Sequence, residues 1–148
     1  MKLVRLSSIL LIASLITAFL ATPITTISYS LWLLGENMPM TTKVFFDSLA
    51  HDWLNLGLPL FFIFLFGFTI AFLATGFLRK FFNITYFSSA TSYALAGAAA
   101  VGLSLYLSVE LVFNIQFIGG NRYLLGFIGH LVAGYLGGYF FGSFLRKI

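Results

Sequence analysis

Four long apolar runs separated by short polar stretches dominate this chain. They cover about 7–34, 58–78, 88–113 and 123–145. None contains Lys, Arg or Asp, and one Glu, Glu110, stands near the end of the third. A helix needs about 20 mainly apolar residues to cross a bilayer, and each run reaches that length. Composition agrees, with 60% hydrophobic and 8% charged residues, where a soluble domain carries about a quarter charged. A small domain buries only part of its surface, so the surplus here must face lipid. The expectation is an all-α integral membrane protein, a single domain over 1–148 built on four transmembrane helices. A soluble enzyme, a disordered tail and a nucleic-acid-binding domain are excluded as first readings. The absence of cysteine removes disulfides, thiolate metal sites and a cysteine nucleophile.

Lys2 and Arg5 precede the first run, as in a signal peptide, and Ser28-Tyr29-Ser30 offers a small-x-small pattern. The run is longer than an h-region of about 7–15 residues, so an uncleaved anchor is expected. Basic residues then set the direction. If four helices alternate, Lys2 and Arg5, Arg79 and Lys80, and Arg146 and Lys147 share one side, leaving Lys43 and Arg122 opposite. The positive-inside rule places that first side, and both termini, in the cytoplasm. Glu36, Asp47, Asp52 and Glu110 fall on or near the outer side. The membrane expected is a bacterial inner membrane. Eight Lys+Arg against four Asp+Glu thus report topology. They are too few and scattered to track a nucleic-acid backbone.

Between the first two runs, Met38-Pro39-Met40 reads as a turn and Thr41 or Thr42 as an N-cap. An amphipathic helix is expected over about 42–55. Lys43, Asp47, His51 and Asn55 form one polar row, with Ser48 and Asp52 alongside, while Phe46, Leu49, Ala50 and Trp53 form the apolar face. Such a helix suits the outer membrane interface, with Trp53 at headgroup depth.

Eight of the fourteen glycines lie beyond residue 118. In the last run Gly126, His130, Gly134, Gly138 and Gly142 recur every four residues, with Gly129, Ala133 and Gly137 beside them. The third run carries Ser88, Ser92, Ala96, Ala100, Ser104 and Ser108 at the same interval. Membrane helices associate by close packing and hydrogen bonds, which small residues every fourth position permit. The simplest expectation is a hairpin in which these two rows meet. The alternative is that one row packs within the chain and the other joins protomers. The last run's glycine pattern has no counterpart in the second run, so an inverted repeat is not supported.

His130 is the sharpest candidate for chemistry, because intramembrane ionisable groups are functional suspects by default. Its plainer reading is an imidazole hydrogen-bonded across a helix interface, to Ser104 or Ser108. Glu110 lies nearly opposite the serine row and pairs more naturally with Arg122. Asp47 and His51, four apart, could place two ligands on one face, but that row reads more simply as the wet face of the interfacial helix. No metal or cofactor is expected. The outer half of the first run is hydroxyl-rich, with Thr22, Thr25, Thr26, Ser28 and Ser30 around Pro23. Pro23 leaves an upstream carbonyl unpaired, which hydroxyls can satisfy.

Three readings follow. The first is a non-enzymatic membrane subunit or assembly partner, homo-oligomeric or with other membrane subunits, and needing only lipid and packing surface. The second is a small oligomeric transporter or channel with His130 on its path. The third is an intramembrane enzyme on lipid or quinone, whose reagents would be His130, Glu110 and the His51 row. The first is preferred.

Overall fold

The computed structural model describes residues 2–83, 86–111 and 124–145, which are helical without strands. Five helices follow in order: α1 (Lys2–Gly35), α2 (Thr42–Asn55), α3 (Gly57–Phe81), α4 (Ser89–Leu111) and α5 (Leu124–Leu145). Four of them, all but α2, are long and apolar enough to cross a membrane.

Local chemistry marks the ends. Asn37 adopts φ 59° just beyond α1. The Met38 N–H reaches the Leu33 carbonyl at 3.0 Å and the Asn37 N–H the Leu34 carbonyl at 3.1 Å. This is a Schellman closure in which Asn supplies the left-handed residue. Asn83, beyond the end of α3, also takes a left-handed φ, 47°. Thr41 caps α2, its hydroxyl accepting from the Val44 N–H at 3.3 Å. Ser88 does so for α4, accepting from the Thr91 N–H at 3.1 Å.

The four long helices form a ring in the order α1, α3, α4, α5, with α5 closing on α1. Neighbours run antiparallel. One end therefore gathers the start of α1, the end of α3, the start of α4 and the end of α5. Arg5, Arg79 and Lys80 all belong to that end.

The interior is built from complementary surfaces. From α3 comes one row of large side chains, Leu60, Phe64, Phe68 and Phe72, all buried. Phe72 stacks on Phe68 and Phe141 at centroid distances of 4.7 and 4.5 Å and meets Tyr93 edge-on at 5.5 Å. From α1 and α5 come small residues and hydroxyls. The outward faces are apolar along their length; on α3, Phe66 is 71% and Leu73 70% exposed.

The extensive α4/α5 contact is a backbone-to-backbone approach. A Cβ on Gly134 would lie 2.6 Å from the Gly97 carbonyl oxygen, and one on Gly142 2.7 Å from Ala90 Cα. One on Gly138 would overlap the Tyr93 carbonyl. The row of α4 that receives these glycines is Ala90, Ala94, Gly97 and Val101, not the serine row expected to do so. Ser92 instead meets Arg79, and Ser104 faces Gly67 of α3. At Gly97 the approach is glycine to glycine, a Cβ there overlapping the Gly134 carbonyl, and Gly97 lies off the serine row.

A second difference concerns α2. Its half-buried stripe is Phe45, Ser48, Leu49 and Asp52, whereas Phe46, Ala50 and Trp53 of the expected apolar face are exposed. The helix packs on α1 and is turned so that Asp52 meets a hydroxyl there. Its C-terminal end lies beside the middle of α1, bonded to Thr26 and Phe19.

Candidate functional site

The buried face of α1 is a ladder of small alcohols. Ser14, Thr17, Thr22, Thr25, Thr26 and Ser30 are all buried. Each lies within hydrogen-bond reach of the carbonyl four residues earlier, from 2.7 Å for Ser30 to 3.4 Å for Thr26, its single proton going there unless another acceptor takes it. Such back-bonding lets a hydroxyl sit in an apolar interface without an orphaned donor.

Three of these hydroxyls reach other elements, Thr17 through the Ala133 carbonyl of α5 at 3.5 Å. Thr25 Oγ1 lies 3.0 Å from His130 Nε2, and Thr26 Oγ1 donates to Asp52 Oδ2 at 2.7 Å. Adjacent residues of α1 thus hold α5 and α2. The sequence names both hydroxyls, as groups able to satisfy the carbonyl that Pro23 frees. The sequence reading places His130 against α4, through Ser104 or Ser108. The observed partner is on α1. Ser108 bonds the Leu105 carbonyl of its own helix at 2.7 Å.

His130 is fully buried. Its Nδ1 lies 2.6 Å from the Gly126 carbonyl, which can only accept. The proton is therefore on Nδ1, and Nε2 of the neutral ring accepts from Thr25. Thr25 Oγ1 is also 3.2 Å from the Ala21 carbonyl. Were the ring doubly protonated, Nε2–H would donate to Thr25 and Thr25 would donate to Ala21. Every polar atom keeps a partner in either state.

The carbonyl freed by Pro23 belongs to Phe19, four residues upstream. An indole, not a hydroxyl, approaches it. Trp53 Nε1 donates to Phe19 O at 3.4 Å, and its ring stacks on Phe19 at 5.2 Å. The signal was present in the sequence as Pro23 and Trp53, but no spacing rule connects them across a turn.

The remaining predicted residues separate from this site. Asp47, His51 and Asn55 are exposed on α2. Asn55 Nδ2 donates to the His51 carbonyl at 2.8 Å, and His51 Nδ1 is 3.8 Å from Asp52 Oδ1. Glu110 belongs to α4, but its side chain and Arg122 lie outside the described residues, as do Arg146 and Lys147. Among the described residues no three metal-ligating side chains come together. A groove of about 370 Å³ runs between α1 and α5, walled by residues including Ile24, Ile27, Leu31 and Gly129. Gly126 borders it; His130 does not.

Comparison of the chain with protein-family models, with curated proteins and with solved structures finds no match. The functional reading rests on the chain's own geometry.

Proposed function

We propose that this protein is a small, non-enzymatic, polytopic membrane protein that acts as a packing or assembly partner, in a homo-oligomer or with other membrane subunits. The observation that carries the reading is the state of His130. It is fully buried, and both ring nitrogens are engaged by α1 and by its own helix. His130, the sharpest candidate reagent, is instead used to hold α5 to α1. The outward rows of α3 and α4 supply apolar surface for lipid or for partner helices.

The topology we propose is four transmembrane helices with both termini cytoplasmic, in a bacterial inner membrane, and α2 on the outer side. The basic residues of the α1 start and α3 end support it through the positive-inside rule. The test is purification of the full chain in a mild native detergent, with identification of co-purifying proteins and their stoichiometry. A complex larger than one copy is expected. A homogeneous, stable monomer would overturn the reading.

A transporter is the second reading, and one observation favours it: the His130–Thr25–Ala21 chain accommodates either protonation state without losing a bond.

A further inference from the structure

At the basic end of the bundle a cleft of about 530 Å³ lies between α1 and α3. Its walls are mainly apolar, with Leu6, Leu10, Leu73 and Phe77 among them. Two of the polar residues in the wall, Lys80 and Tyr93, bear on what the cleft can hold. Lys80, exposed in the last turn of α3, forms no ion pair among the described residues. There is no acidic residue before Glu36 or between Asp52 and Glu110 to pair with it. Its neighbour Arg79 differs, being bound to the Phe87 and Ser88 carbonyls and to Ser92.

The other residue is Tyr93. It is only 6% exposed, yet its hydroxyl has no hydrogen-bond partner among the described residues. Every fully enclosed side-chain polar atom among the described residues does have one, so this oxygen is not fully enclosed, and Tyr93 lines the cleft. Gly76 keeps the approach clear, since a Cβ there would stand 3.1 Å from the hydroxyl. A buried phenol with a free O–H calls for an acceptor.

We infer that this cleft holds an acyl chain of an anionic phospholipid, with the phosphate on Lys80 and an ester carbonyl accepting from the Tyr93 hydroxyl. The spacing suits that molecule. Tyr93 lies four residues into α4 from Ser89, ~6 Å along the axis, where the glycerol esters sit below a headgroup. Basic pockets between membrane helices recognise anionic headgroups. A zwitterionic lipid offers the same chain and carbonyl but brings a second cation toward Lys80. Soluble phosphate offers the charge without the chain. The inference rests on the chain being embedded in a membrane.

The test uses the full chain, purified in detergent and delipidated. Phosphatidylglycerol, phosphatidylcholine of the same chains, or soluble glycerol 3-phosphate is added, and bound ligand is read by native mass spectrometry alongside the thermal midpoint. Phosphatidylglycerol should bind more tightly than phosphatidylcholine, and glycerol 3-phosphate should not bind. Lys80→Gln should weaken phosphatidylglycerol roughly five-fold, the effect of one basic residue near an anionic surface, and leave phosphatidylcholine unchanged. Tyr93→Phe should weaken both lipids while keeping their order, and it retains the ring that packs on Phe72 and Phe141. Equal binding of the two lipids by the unmodified protein, comparable binding of glycerol 3-phosphate, or unchanged phosphatidylglycerol affinity in both variants overturns the site. Alkaline carbonate extraction of native membranes separates the two failures. Release of the protein would overturn the membrane reading itself; retention without lipid preference would overturn the site alone.

Discussion

Thr25 and His130 share one hydrogen bond but do not depend on it equally. Thr25 has the Ala21 carbonyl as a second partner at 3.2 Å, whereas His130 Nε2 has Thr25. Removing the imidazole leaves a hydroxyl that still has somewhere to donate. Removing the hydroxyl leaves a buried ring nitrogen with nothing. Thr25→Val, which keeps the side-chain shape, should therefore destabilise the protein by about 1–3 kcal/mol. His130→Leu should cost less, about 1 kcal/mol, the scale of one interhelical bond. Thermal unfolding of both variants in the same detergent checks the order, and a larger loss in His130→Leu contradicts it. Asp52 is a milder case. Asp52→Asn keeps an oxygen to accept from Thr26, so amide exchange across α2 should stay near that of the parent. Asp52→Leu should raise exchange throughout α2, because only α1's hydroxyl explains why Asp52 faces inward.

Between elements, one joint is set by Pro23. Its missing N–H frees the Phe19 carbonyl, and Trp53 of α2 supplies the replacement donor. Trp53→Phe preserves an aromatic ring but removes the donor. Its cost should fall in a Pro23→Ala background, where α1 can satisfy Phe19 itself. A double-mutant cycle should show coupling of about 0.5–1.5 kcal/mol, the net value of one such bond; strict additivity would falsify the joint. The glycine contacts give a second contrast. Gly138→Ala should destabilise, since its Cβ would overlap the Tyr93 carbonyl, whereas Gly57→Ala meets nothing within 4 Å. Gly134→Leu should be more damaging than Val132→Leu, which adds to an exposed position, and overpacking typically costs about 1–3 kcal/mol. Equal midpoints for Gly134→Leu and Val132→Leu would remove the argument. These joints also explain what the sequence could reveal. The five helices were legible because their lengths, caps and apolar runs are local properties, and α2 was expected at about 42–55, where it lies. The identity of facing rows was not legible. Gly97 and the serine row are both small-residue patterns on one helix, and only three-dimensional register selects Gly97 for α5 and Ser104 for α3. The same holds for His130, whose partner was sought on the adjacent helix in sequence but stands on α1.

At the scale of the whole molecule, α1 has 34 residues, roughly 50 Å at the usual rise, against a hydrocarbon core of about 30 Å. The antiparallel ring places Arg5, Arg79 and Lys80 at one end, and α2 joins the chain between α1 and α3 toward the other. The proposed topology predicts that cysteine introduced at Ser48 reacts with an impermeant thiol reagent in intact cells, while cysteine at Ser143 reacts only after lysis. The opposite pattern would invert the molecule in the membrane. The central claim is that the buried polar groups bind helices together and carry no flux. It is tested most directly by measuring assembly and proton flux together, for the parent and His130→Gln. Glutamine can accept from Thr25 but cannot relay a proton through two ring nitrogens. The account predicts a complex of the same size for both proteins in native detergent, with no proton-dependent flux above empty proteoliposomes for either. Robust flux in the parent, abolished in His130→Gln while the complex remains intact, would contradict it.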